Sequence, residues 1–320
     1  TSGTRIYPSS LWYFDTVRER CWRLLFVALL NLLVLEVSTA GVLRYCSAAP
    51  QLTATQQDKI LQFAAIAREA LATSGSRLAI VSRSGLDLSY FNQRYSHAGV
   101  SLQNIPGMPW SVRQLYFDCA EQKPRLFDQG LAGFVLGADD PDKGFLSMVF
   151  LPTAEANALE EAAQNNAVSL QLLARQYSAN AYAFSTLYQN CNQWVAELLA
   201  QAWAPQRPSG SDARMHAQSW LATQGYAPTE FTLNWRPMLW ATAWSNLVHT
   251  DDHPAADLEA LTLKVSMPAS LEAFIQAKFP GADRVELCRT RTHVVIRRGW
   301  RPLPDDCIAS DGDQQIAFVP

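Results

Sequence analysis

The stretch Tyr188-Gln189-Asn190-Cys191-Asn192-Gln193-Trp194-Val195 passes from a polar loop into an apolar helix that starts near Asn192 and runs to Trp203. A thiol at a helix N-terminus feels the partial positive charge of unpaired N–H groups, which lowers its pKa and favours the nucleophilic thiolate. The same N–H groups can hold an oxyanion. Cys191 is therefore a candidate nucleophile, and the Asn192 backbone and Gln193 side chain are candidate oxyanion donors.

A cysteine nucleophile needs a histidine within hydrogen-bond reach and a third polar group that orients the ring. His97 opens the strand-like run 96–102, where Ala98 and Gly99 leave space for another backbone or a substrate beside the imidazole. Gln114 lies on the next predicted strand, 110–117, where Val112, Gln114 and Tyr116 share one face. We therefore expect His97 to act as general base and Gln114 to orient it.

A second interpretation of these residues is structural. A lone buried cysteine usually behaves as a small apolar residue, and a histidine near glycine is usually a hydrogen-bonded structural residue. The protein is then a non-catalytic binding module with an inert Cys191. Its groove is expected to be lined by Tyr95, Trp110, Tyr188 and Trp194.

The run His249-Thr250-Asp251-Asp252-His253 contains residue types that bind metals. Pro254 breaks regular structure directly after it, and the run lies in a polar linker. A polar loop, or a loop docked on the main domain, is therefore favoured over a metal site. The sequence predicts no metal and no cofactor.

Outward from these motifs, the apolar periodicity predicts an α+β fold. It indicates strands at 78–82, 96–102, 110–117 and 145–151, and helices at 55–73, 153–175, 192–203 and 213–224. After a composition break at 249–257 come a strand at 261–267, a helix at 271–279 and two strands around Leu287 and Val295. We expect a domain over 46–248 and a small C-terminal α+β extension over 249–320.

Residues 1–45 have the order of a secretory signal. Arg18, Arg20 and Arg23 precede the apolar run Leu24 to Leu35, and the small residues 38–40 follow it. A helix over these twelve residues rises about 18 Å, too short for a hydrocarbon core of roughly 30 Å. An exported, periplasmic protein is expected; an uncleaved inner-membrane anchor and an ordinary buried helix are the open alternatives.

The six cysteines form no C-x-x-C pair, which argues against structural zinc and thioredoxin-like chemistry. If Cys21 leaves with the signal, five remain, and two disulfides plus one free thiol is the simplest arrangement. Cys288 and Cys307 flank an apparent hairpin and are expected to pair, as are Cys46 with Cys119. Cys191 is then the free thiol.

Composition excludes several classes of protein. Of 320 residues, 48% are hydrophobic and 17% charged, which excludes wholesale disorder and coiled coil. The net charge is −3 and the longest basic block is Arg297-Arg298, so nucleic acid is not an expected partner. G-x-S-x-G, H-E-x-x-H and phosphate-binding loop motifs do not occur.

The order of these site residues resembles the circularly permuted papain-like superfamily, which contains lecithin:retinol acyltransferase-like and NlpC-related amidases. In that superfamily the nucleophile is surrounded by the pattern N-C-x-x-aromatic-V. The resemblance implies a papain-like antiparallel sheet with helices.

The run from Leu78 to about Trp203 more closely resembles a bacterial family of unknown function, DUF2145. Its features are R-x-G-x-D-L, R-Y-S-H-A-G, W-x-V-x-H-L ending in Cys, and Y-Q-N-[SC]-N-Q-W-x-x-E, here at 83–88, 94–99, 110–119 and 188–197. H-x-D-D-H-P also looks family-like, so the resemblance extends over most of 46–280. The family pattern has His where this chain has Gln114, and glutamine can orient an imidazole but cannot hold charge.

These observations predict an exported cysteine hydrolase of amide or ester bonds, with an envelope peptide or small acyl compound as substrate. The non-catalytic envelope binding module is the alternative. A structural accessory protein tethered by residues 24–35 is a third interpretation.

Overall fold

The computed structural model describes residues 46, 52–105, 107–137, 140–206, 210–234 and 247–319. The predicted signal or anchor region, including Cys21, lies outside these residues. Of the first 51 positions, only Cys46 is described. Within the described part of the chain, no helix is long and apolar enough to cross a membrane.

The helices are α1 (Ala54–Ala72), α2 (Leu131–Leu136), α3 (Thr153–Gln164), α4 (Asn166–Gln171), α5 (Cys191–Trp203), α6 (Ala213–Thr223), α7 (Ala255–Glu259) and α8 (Pro268–Lys278). The strands are β1 (Leu78–Arg83), β2 (His97–Leu102), β3 (Ser111–Asp118), β4 (Lys123–Gln129), β5 (Gly144–Phe150), β6 (Thr229–Thr232), β7 (Thr262–Val265), β8 (Asp283–Arg289), β9 (His293–Arg298) and β10 (Gln314–Ala317).

Eight of the strands form one antiparallel sheet in the order β10-β9-β8-β5-β1-β2-β3-β4, and β6 pairs with β7 in a small second sheet. The α+β class is thereby confirmed. Strands β1, β2 and β5 are buried along their whole length. This explains why the apolar runs of β1 and β5 are nearly continuous instead of alternating.

The main sheet has a hydrophobic core on each face. Ala98, Val100 and Leu102 of β2 pack in the same cluster as the apolar residues of α5. Val81 of β1 and Val112 of β3 pack in the other cluster, with residues of α1 and α2. Successive residues of a strand point to opposite faces, so each face receives alternate side chains. The N-terminus of α5 and the start of β2 are positioned by this packing.

The C-terminal strands are joined to strands that come earlier in the chain. Strand β8 pairs with β5 along its whole length, so β8, β9 and β10 extend the main sheet. Strand β7 pairs with β6 of the preceding segment. Apolar runs identify strands but do not specify partners, since register and partner are set by tertiary packing.

Both expected disulfides are present. Cys46 bonds to Cys119 and Cys288 bonds to Cys307, with Cα atoms 5.7 Å apart in each pair. Among the described cysteines, Cys191 is the free one, and it is buried. Disulfides persist in oxidising compartments, so the two bridges indicate an extracytoplasmic location.

Candidate active site

Cys191 is the first residue of α5. Asn190 caps this helix: its side-chain Oδ1 accepts a hydrogen bond from the backbone N–H of Gln193 at 2.7 Å. The helix is buried from Cys191 to Ala202. Its apolar residues pack into the core and its buried polar side chains are hydrogen-bonded, which fixes the thiol at the end of a rigid element.

His97 is the first residue of β2, where the sheet is only partly paired. Strand β1 pairs with all of β2, from His97 to Leu102, whereas the β3 pairing covers Val100 to Leu102. Gly99 is required here because a Cβ atom would lie 2.5 Å from a Val112 methyl and 2.9 Å from the Arg113 carbonyl oxygen. The space beside Gly99 is therefore filled by another backbone, one of the two predicted occupants.

The N-terminus of α5 meets the chain on either side of His97. The Cys191 sulfur lies 4.0 Å from the carbonyl oxygen of Ser96, and Asn192 Nδ2 donates to the same oxygen at 3.2 Å. The backbone N–H of Ala98 also interacts with the thiol. The fold thus brings Cys191 to the backbone segment that carries His97.

The imidazole is held by two glutamines in series. His97 Nε2 lies 2.5 Å from Gln114 Oε1, and Gln114 Nε2 donates to Gln129 Oε1 at 2.7 Å. With Gln114 in this orientation, His97 carries a proton on Nε2 and leaves Nδ1 as an acceptor. Gln114 thus contacts the His97 ring from the neighbouring strand.

Burial keeps both reactive groups uncharged. It raises the pKa of the Cys191 thiol to about 11, and the Arg83 guanidinium and nearby backbone N–H groups lower that pKa by less. Burial, followed by the Arg83 charge, lowers the pKa of His97 to about 3. The predicted low thiol pKa is therefore wrong for this state, because the loss of solvation outweighs the helix N-terminus.

Residues 70–275 match a family described as uncharacterized protein conserved in bacteria (DUF2145). This chain belongs to the DUF2145 family. The matched range contains Cys191, His97 and Gln114, and it ends before β8. No curated protein and no solved structure matches the chain.

Gln193, one of the candidate oxyanion donors of this DUF2145 protein, has a structural role instead. The Gln193 side-chain nitrogen donates to three backbone carbonyls, those of Tyr182, Ala183 and Ser185, at 3.2 to 3.3 Å. Its amide is therefore committed to holding the segment 182–185, and the prediction of a side-chain oxyanion donor is wrong. The backbone N–H groups of Asn192 and Cys191 interact with the thiol itself and lower its pKa.

The four aromatic residues expected to line a groove are all buried and lie apart. Tyr95 and Trp110 belong to two different apolar clusters, and Trp194 lies in a third, with its indole N–H donating to the Ser169 carbonyl at 3.2 Å. Tyr188 stacks on His249 with ring centroids 4.3 Å apart. These side chains are fixed by local packing, so they do not form the predicted open groove.

The run 249–253 is a docked loop. Tyr188 donates its hydroxyl to Asp251 at 3.1 Å, Asp252 accepts from the Tyr182 backbone at 2.9 Å, and His253 Nε2 lies 2.9 Å from the Asn180 carbonyl oxygen. No group of three or more histidine, cysteine, aspartate or glutamate side chains among the described residues could hold a metal ion. The loop therefore holds in place the polar segment 180–188, which leads to Cys191.

Two buried carboxylates support the site and were missed by the sequence analysis. Glu197 accepts hydrogen bonds from Arg214, Gln189 and Gln218, and Arg214 also donates to the Tyr188 carbonyl at 2.9 Å. This network ties the loop before Cys191 to α5 and α6. The signal for it was the glutamate that closes the Y-Q-N-C-N-Q-W-V-A-E run.

The second carboxylate, Glu286 on β8, holds the segment before His97. It accepts hydrogen bonds from the Tyr95 hydroxyl, from Arg94 at 2.8 Å and from the Leu303 backbone at 2.7 Å. Arg284 Nη1 donates to it at 3.1 Å. Nothing in the local sequence around Glu286 indicates this task, since Arg94 and Tyr95 lie 192 and 191 positions away from it.

Proposed function

We propose that this protein is a cysteine-dependent hydrolase of amide or ester bonds. Cys191 is the nucleophile, His97 the general base and then acid, and Gln114 the residue that orients His97. The proposed scaffold is a permuted papain-like domain, on which an antiparallel sheet carries the histidine and the helix that follows it later in the chain carries the cysteine.

One observation carries the proposal. The thiol at the start of a rigid helix lies against the backbone on both sides of His97, whose Nε2 is bonded to Gln114. The ring nitrogen left as acceptor is Nδ1, the atom required to take a proton from the thiol. Nucleophile, base and orienting group come from α5, β2 and β3, and the contact of the thiol with the backbone beside His97 is what supports their joint action.

The proposed reaction has two steps. The sulfur attacks the substrate carbonyl carbon while the thiol proton passes to His97, and the imidazolium then protonates the leaving amine or alcohol to give a thioester. Water attacks the thioester carbonyl and gives a proton to His97, which returns it to the leaving thiolate. The products are a carboxylic acid and an amine or alcohol, and the backbone N–H of Asn192 donates to the oxyanion in both steps.

The resting pair is neutral in this mechanism, because burial disfavours both thiolate and imidazolium. Proton transfer therefore accompanies carbon–sulfur bond formation, instead of preceding it as a stable ion pair. A carbonyl that binds at the Asn192 N–H supplies the stabilisation that the free enzyme lacks, since the charge then develops on the oxyanion.

The compartment narrows the proposed substrates. The two disulfides support export, and the periplasm is the proposed location, either with a cleaved signal or with an inner-membrane anchor. The proposed substrates are accordingly envelope peptides or acyl compounds.

The test is formation of the acyl-enzyme. The full chain is mixed with p-nitrophenyl acetate, quenched in acid and mapped by mass spectrometry, and an acetyl group is expected on the Cys191 peptide. Cys191→Ala and His97→Ala should abolish p-nitrophenol release, whereas His216→Ala, at an exposed histidine on α6, should not. Turnover that survives Cys191→Ala would overturn the proposal.

The binding module stays as a second candidate, and the burial of Cys191 and His97 favours it. Both side chains are only 6% exposed. A binding module is expected to show no acyl-enzyme and no change in ligand affinity between Cys191→Ala and the unaltered protein, which separates it from the hydrolase.

A further inference from the structure

Two large aromatic side chains remain exposed beside His97. Tyr116 on β3 is 39% exposed and Phe127 on β4 is 44% exposed. The Tyr116 ring centroid lies 5.8 Å from that of His97 and 6.4 Å from that of Phe127. Adjacent apolar groups that stay in water next to a candidate site are typical of a ligand-binding surface.

The sheet register puts these rings on the face that carries the imidazole. Phe127 is paired directly with Gln114, the residue bonded to His97, so the two side chains point the same way. The imidazole also contacts the Phe134 ring of α2, with ring centroids 5.8 Å apart, and Leu136 at the end of that helix is exposed. Apolar surface therefore borders the imidazole from two elements.

The shape and chemistry of this surface favour a flexible apolar group. The Tyr116 and Phe127 rings are nearly perpendicular, at 86°, and form a corner in which a chain of methylene groups can contact both. Arg125, the cross-strand neighbour of Tyr116, is already paired with Glu121. The corner thus offers ring surface, not an uncommitted charge, to its ligand.

We propose that Tyr116 and Phe127 bind the acyl chain of the substrate. The inference rests on the proposed hydrolase and narrows its substrate class to esters or amides of apolar acyl groups. The scissile carbonyl lies at Cys191 and His97, and the chain extends along the two rings toward β4. Acyl-chain length then determines specificity, because each methylene that leaves water adds to the binding free energy.

The kinetic test compares p-nitrophenyl octanoate with p-nitrophenyl acetate on the full chain. Phe127→Ala and Tyr116→Ala should lower kcat/KM for octanoate about tenfold or more through KM, and change acetate less than about twofold. Tyr90→Ala is the matched control, since Tyr90 is exposed and lies on the 3-10 helix Ser89–Phe91. Equal losses on both esters would overturn the assignment.

A binding test separates this inference from the catalytic proposal. Octanoate is titrated calorimetrically into the Cys191→Ser chain, with and without Phe127→Ala, and circular dichroism checks that both are folded. Binding that weakens at least fivefold with Phe127→Ala supports the acyl surface even if no variant hydrolyses an ester. Absence of octanoate binding, or binding indifferent to Phe127, would overturn it.

Discussion

His97 and Gln114 lie on neighbouring strands that are not hydrogen-bonded to each other at this level, and they are joined through their side chains, with Nε2 2.5 Å from Oε1. The side-chain bond spans the point where the backbone ladder between β2 and β3 stops. Gln114 therefore fixes the plane of the imidazole without placing a charge beside it.

Replacing Gln114 tests this orienting task. Gln114→Ala should lower kcat roughly 10- to 100-fold with little change in KM, less than the loss of a general base, since the imidazole remains but its plane and tautomer are free. Gln114→His keeps a hydrogen-bond partner and should retain most of kcat. Gln276→Ala, at an exposed position on α8, is the control; unchanged kcat in Gln114→Ala would contradict the assignment.

The buried thiol should be slow to alkylate. With its pKa raised to about 11, Cys191 holds far less thiolate at pH 7 than an ordinary cysteine, so iodoacetamide should modify its peptide slowly, and faster as the pH rises toward 11. Guanidinium-unfolded protein should react at least tenfold faster at pH 7. Rapid labelling of native Cys191 at neutral pH would show that the thiol is not desolvated.

The stability of the fold should depend on His97 between pH 6.5 and about 3. In this pH range His97 is protonated in the unfolded chain but stays neutral in the folded chain, because burial lowers the pKa of His97 to about 3. The unfolded state thus binds more protons, and the free energy of unfolding falls as the pH falls, by up to roughly 1.4 kcal/mol per pH unit.

Urea unfolding between pH 4 and pH 7.5 measures this dependence. His97→Gln should show a shallower loss of stability than the unaltered chain, because glutamine does not titrate. The surface variant His216→Gln should follow the unaltered chain. Identical slopes for His97→Gln and the unaltered chain would mean that His97 is solvated in solution.

The Glu286 network should contribute far more to stability than a surface ion pair. Glu286→Gln leaves the buried Arg284 with fewer compensating charges and should lower the free energy of unfolding by about 3–5 kcal/mol. Glu121→Gln, in an exposed pair with Arg125, should leave the free energy of unfolding nearly unchanged. Comparable effects of the two substitutions would contradict the network's importance.

Much of the fold follows from local pattern. Apolar periodicity predicts α1, α5 and the strands β1, β2, β3 and β5 within a few residues, and the cysteine count with the apparent hairpin predicts both disulfides. The predicted helix 153–175 is instead two helices, since Asn165 ends α3 and caps α4 with its side chain. Strand β4 was missed because its residues are mostly exposed and lack an apolar run.

The residues of the candidate site follow from the sequence, but their electrostatics do not. Residue type and position pointed to Cys191, His97 and Gln114, and the side-chain bond between the last two is present. The thiol pKa was mispredicted because desolvation depends on how α5 packs, which a sequence window does not contain. Gln193 was misassigned for the same reason: its carbonyl partners come from a segment with no recognisable signal.

The strand order also sets when this molecule can fold. Strand β5 obtains its second neighbour only from β8, more than a hundred residues later in the chain, and β8 carries the carboxylate that holds Arg94 and Tyr95. Pairings of such long sequence separation form late and slowly. Arg94 and Tyr95 therefore lack their hydrogen-bond partner until β8 has been synthesised. The chain cannot complete its fold before then, and this is compatible with translocation in an unfolded state.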